Sequence, residues 1–104
     1  MRLLKERSRL LKKTYEVMIF QTPKFRQTKG YKQVYRMNVT GSSHLHILED
    51  VFRIFNVKDS IPNDYQGRYM GTGDIIYIDE GRQGTTYYQL QPGGWKKISR
   101  IHVL

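Results

Sequence analysis

Inside this chain, residues 45–55 repeat their apolar side chains at helical spacing, and every other internal apolar run is too short for a helix. Leu45, Leu48, Phe52 and Phe55 fall on one face of such a helix, with Ile47, Val51 and Ile54 beside them. Glu49, Asp50 and Arg53 take the remainder, and Ser42 or Ser43 can accept from an unpaired N–H of the first turn. Five short segments rich in aromatic and β-branched residues surround it, at 14–21, 31–40, 75–78, 85–91 and 95–104. One helix among five strands lacks the alternating rhythm of a doubly wound nucleotide fold. The expected class is α+β, an antiparallel sheet with one amphipathic helix packed on one face, in the order β-β-α-β-β-β.

The first two strands are the most informative. Tyr15, Val17 and Ile19 share one face of the first, and Met18 and Phe20 make its other face apolar too. A strand apolar on both sides belongs inside a sheet. In 31–40, Tyr31, Gln33, Tyr35, Met37 and Val39 alternate with Lys32, Val34, Arg36 and Asn38, predicting a half-buried strand paired antiparallel with the first. Residues 75–78 and 85–91 predict a hairpin across a glycine-bearing connection.

With 104 residues the chain has room for one core. It holds no cysteine, which removes disulfides, thiolate zinc sites and cysteine nucleophiles and fits a reducing, cytoplasmic location. No apolar run is long enough for a membrane-spanning helix, nor for the apolar stretch of about 7–15 residues in a secretory signal.

The charge is lopsided. Residues 1–37 carry eleven basic side chains against two acidic ones, whereas 38–104 carry seven of each, so the whole +9 lies in the first third. Such an asymmetry points an anionic partner at one part of the surface. The front of that third has an internal echo, Arg2-Leu3-Leu4-Lys5 and Arg9-Leu10-Leu11-Lys12, seven residues apart. On a helix the four leucines form one stripe flanked by Arg and Lys. The expected division is therefore a basic amphipathic helical arm at 1–13 and a single α+β domain at 14–104. An isolated helix of about 12 residues is marginal in water, so the arm must dock, bind or fray.

Catalytic and metal chemistry find little support. Gly71 and Gly73 precede a strand and not a helix, so they read as turn glycines and not as a phosphate loop. His44 and His46 diverge by about 200° on a helix and cannot share a metal. Asp79 and Glu80 are adjacent, beside a glycine turn, and no Gly-x-Ser-x-Gly string exists. The expectation is no enzyme activity, no cofactor, no metal and no small-molecule substrate.

Eight tyrosines, four phenylalanines and one tryptophan are the more suggestive set. Tyr31 and Tyr35 share a strand face, and Lys32 and Arg36 share the opposite one with Val34, an interleaving that stacks bases and tracks phosphates in some sheets. Trp95 follows two glycines and is either a corner plug of the core or an exposed anchor.

The second half carries an ordered string: Pro62-Asn63-Asp64-Tyr65-Gln66-Gly67, Met70-Gly71-Thr72-Gly73-Asp74, Ile75-Ile76-Tyr77-Ile78, Tyr87-Tyr88 and Gly94-Trp95-Lys96-Lys97-Ile98. This string resembles the YodL-like family of small bacterial domains, over roughly residues 62–101. The basic arm is not part of the pattern that carries the resemblance. The resemblance implies no catalytic residues. It implies a link to sporulating bacteria and to cell shape through an MreB-type, actin-like filament protein.

Together these readings predict a small non-enzymatic, protein-binding regulator. Arg2, Leu3, Leu4, Lys5, Arg9, Leu10, Leu11, Lys12, Lys32, Arg36 and Trp95 are its expected contacts. The partner implied by the resemblance is the MreB-type filament. The alternative is a nucleic-acid-binding domain using the basic first third; a weak contact of the arm with an anionic membrane surface is a further expectation.

Overall fold

The computed structural model describes residues 12–25 and 27–100. Five strands and one helix follow in the expected order: β1 (Lys13–Gln21), β2 (Lys32–Gly41), α1 (His44–Ile54), β3 (Ile75–Asp79), β4 (Thr85–Gln91) and β5 (Gly94–Ile98), with a single 3-10 turn at Gly81–Gln83. The strands form one sheet ordered β2-β1-β3-β4-β5, and every neighbouring pair is antiparallel. The α+β expectation holds. β1 is interior, as its two apolar faces required. The last strand is shorter than expected and ends at Ile98. The helix expected at 1–13 lies outside the described residues as far as Leu11; Lys12 is exposed and Lys13 already belongs to β1.

The topology has one long-range step. β2 lies at an edge, and α1 with the loop after it carries the chain back over the sheet to place β3 on the far side of β1. Ser43 caps the helix, its hydroxyl accepting from the His46 N–H at 3.2 Å. Gly41 permits the close entry: a Cβ there would stand 2.7 Å from Ile47 Cδ1.

The core lies between α1 and one sheet face. Tyr15, Val17 and Ile19 of β1 meet Val39 of β2, Ile76 and Ile78 of β3, and Ile47, Leu48, Val51 and Phe55 from the helix, with Met70 closing the end. The helix presents a narrower stripe than its sequence suggested. Leu45 and Phe52, expected on the buried face, are 59% and 40% exposed. Seven apolar residues on eleven positions exceed what one helix can press against a sheet, and contact at Ile47, Leu48, Val51 and Phe55 leaves those two on the outer flank.

Candidate interaction surfaces

The sheet face opposite α1 is the largest apolar feature outside the core. Cross-strand register sets Arg36 beside Met18, Met18 beside Tyr77, Tyr77 beside Tyr87, and Tyr87 beside Ile98. One row thus crosses all five strands. Next to it, Phe20 pairs with Ile75, Ile75 with Gln89, and Gln89 with Lys96. The Tyr77 and Tyr87 rings are 4.8 Å apart, and Phe20 lies 6.3 Å from Tyr87. Met18, Phe20, Tyr77, Tyr87 and Ile98 are each half-buried. A shallow recess of about 410 Å³ opens at the Tyr77–Tyr87 end, lined also by Lys97, Ile98 and Arg100. A second apolar feature is the outer flank of α1, where Leu45 and Phe52, seven residues apart, share one side of the helix.

Lys32 and Arg36 do not share a face. The β1–β2 ladder slips between Ile19 and Phe20, so Lys32 pairs with Gln21 while Arg36 pairs with Met18. Gln21 and Met18 are three apart on β1 and point to opposite sides. The bulge takes up one residue near Val34 and breaks the alternation on which the shared face rested. Lys32 borders a recess with Gln21, Thr22 and Arg68. Arg36 stands on the other side, its guanidinium 2.6 Å from Glu16. Tyr31 falls just before β2, its hydroxyl donating to the Gly73 carbonyl. Trp95 pairs with Leu90 and packs half-buried against the core, so it is the corner plug and not an exposed anchor. Of the arm contacts, Arg2, Leu3, Leu4, Lys5, Arg9, Leu10 and Leu11 lie outside the described residues.

Two polar clusters hold the fold beneath these surfaces. Asp74 is wholly buried; its carboxylate accepts from Arg68 at 2.9 Å, from the Gln21 amide at 3.0 Å and from the Gly71 N–H at 2.9 Å. Burial raises its pKa above the usual carboxylate value, while the Gly71, Gln21 and Arg68 contacts oppose the rise. Beside it the Tyr65 hydroxyl donates to the Arg68 carbonyl, and burial pushes Tyr65 up to about 12. In the second cluster His44 stands between Glu80, at 2.5 Å, and the Tyr88 hydroxyl, at 2.6 Å. A carboxylate and a phenol on the two ring nitrogens have the outline of a positioned base. However, none of the recesses lined by Gln21–Arg68, Tyr77–Arg100 or Phe25–Pro92 includes this trio. Its evident work is to tie the first turn of α1 to β4 and to the turn after β3. Among the described residues, no three metal-ligating side chains gather, and no helix is long and apolar enough to cross a membrane.

Sequence reasoning missed the row across the sheet and the outer flank of α1. The two-sided apolar pattern of β1 contained the signal for Met18 and Phe20. Nothing local announced that Tyr77 and Tyr87 would stand beside them.

Comparison with known proteins places the whole arrangement. The YodL-like domain model matches residues 4–100. "Uncharacterized protein YodL" of Bacillus subtilis (strain 168) is 56% identical over 90 residues, covering 86% of this chain and 86% of that one. No solved structure matches. The chain belongs to the YodL-like family. The match reaches far beyond residues 62–101 and takes in most of the basic arm, which the resemblance had set apart.

Proposed function

We propose that this YodL-like chain is a small non-enzymatic regulator that binds a larger protein through its basic first third. The partner we propose is an MreB-type, actin-like filament protein in the bacterial cytoplasm, and the outcome a change in cell shape. The reading rests first on one observation. Lys12, Lys24, Lys29 and Lys32 are exposed, and none of them forms an ion pair among the described residues. Arg36 is the one described cation of the first third that meets an acid. The cationic excess is therefore turned outward and not spent inside the molecule.

In this reading the segment 1–13 forms an amphipathic helix whose leucines enter a groove on the partner, with Arg and Lys at its rim. Localised charge raises the association rate and makes it sensitive to salt. The outer flank of α1, with Leu45 and Phe52, supplies a second contact.

The test is binding of the full chain and of a variant lacking residues 2–12 to purified filament protein at low and high salt. Loss of binding in the variant, and weakening of the full chain by salt, are expected. Equal binding by both removes the arm from the mechanism. Parallel titration with unrelated single-stranded and duplex DNA and RNA addresses the nucleic-acid alternative, which several phosphate contacts would reveal as a steep salt dependence.

A further inference from the structure

We infer that residues 1–11 have a docking site within their own molecule, across the sheet face opposite α1. Four observations converge on this occupant. The first is the face itself: Met18, Phe20, Ile75, Tyr77, Tyr87 and Ile98 present apolar side chains on the side away from the helix. The second is Ile75. It is fully buried yet absent from the core cluster that gathers Ile76, Ile78 and the helix residues, so water is kept from it on the far side of the sheet.

The third is reach and length. Residue 11 is two positions from the start of β1, the strand that supplies Met18 and Phe20 to this face. An eleven-residue helix is about 16 Å long. The row from Met18 to Ile98 crosses three inter-strand gaps of about 4.8 Å, or about 14 Å. The leucine stripe and the apolar row therefore match in extent. The rim of the face nearest Lys13 carries Glu16 and Asp79, a cross-strand pair, and the stripe is flanked by Arg and Lys.

The fourth is the family match, which begins at residue 4 and so includes the segment in the domain and not in an appended tail. Tethering at β1 gives the segment an effective concentration on the order of millimolar at this face, which favours it over a second copy. The inference deepens the proposed function by supplying its regulation. The same leucines cannot lie on the sheet and in a partner's groove, so partner binding must lift the segment and uncover the Tyr77–Tyr87 row.

The absence of cysteine makes the test direct. In the full chain without any partner, Ser8→Cys is combined with Lys96→Cys, an exposed position on the face in question. A control combines Ser8→Cys with Glu49→Cys, exposed on α1. A short thiol cross-linker is applied at micromolar protein. The expected result is an intramolecular product about tenfold or more above the control, falling to the control level when Leu3, Leu4, Leu10 and Leu11 are all changed to Asp. Equal yields from the two pairs overturn the inference, as does a product found only between two chains. A yield indifferent to the leucine changes overturns it as well. Because no partner is present, failure here is separable from failure of partner binding.

Discussion

Arg68 and Asp74, six residues apart in the loop between α1 and β3, meet at 2.9 Å with the carboxylate wholly buried. The pair joins three parts of the chain that have no other polar link: Arg68 also donates to the Thr22 carbonyl, and Asp74 holds Gln21 at the end of β1. Removing one member of a buried pair leaves the other's desolvation uncompensated, which costs about 3–5 kcal/mol when both are fully enclosed. Arg68 is partly open to water, so Arg68→Met is expected to cost about 3 kcal/mol. The check is urea unfolding. The midpoint should fall with little change in slope, and a midpoint within error of the parent would refute the assigned role.

Alkaline pH should act through Tyr65. Burial lifts its phenol from 10.0 to about 12 in the folded chain. Between those values the unfolded state has released its proton and the folded state has not. Stability is therefore full below pH 10, declines as pH rises toward 12, and levels off above it. A tyrosinate absorbance titration should show a late step near 12, missing in Tyr65→Phe. The variant should also lose less stability than the parent across that interval. An unchanged late step reassigns it to another tyrosine.

Which features were legible in the sequence follows from how local their causes are. The strand over Lys13–Gln21 and the helix over His44–Ile54 were legible because alternation, helical spacing and a serine cap are written within a few residues. The opposite placement of Lys32 and Arg36 was not, because one slip in the ladder beside Ile19 inverts the facing of the residues beyond it. The row from Met18 to Ile98 was not legible either. It needs β3 to cross the helix layer and settle beside β1, a pairing between residues 59 apart at Met18 and Tyr77. The outward turn of Leu45 and Phe52 reflects competition for a limited sheet face, which periodicity alone does not resolve.

Gly67 gives a sharper test of packing around the Asp74 cluster. A Cβ at this position would overlap the Tyr65 hydroxyl and come within 2.7 Å of Gln21 Oε1. Both atoms are committed: the hydroxyl donates to the Arg68 carbonyl, and Gln21 Oε1 accepts the Arg68 N–H at 3.1 Å. Gly67→Ala must therefore break one of these bonds or move the loop, at about 1–3 kcal/mol. Gly93→Ala is the natural control, since nothing lies near its Cβ position. Thermal unfolding should separate the two variants, and equal melting temperatures would show that the cluster yields without cost.

The outer flank of α1 separates binding from folding. Leu45 and Phe52 are exposed and seven residues apart, while the residues that hold the helix to the sheet are Ile47, Leu48, Val51 and Phe55. Replacing Leu45 and Phe52 together by Lys removes apolar area only from the water-facing side, so stability should change by less than about 1 kcal/mol. A partner that seats these side chains would lose contacts in the class that dominates interfaces and would gain two charges to desolvate. Binding of the proposed filament partner should then fall at least about tenfold, equivalent to about 1.4 kcal/mol, with the circular dichroism spectrum unchanged. Unaltered binding by the folded double variant would confine the contact to the basic first third and leave this flank as ordinary surface.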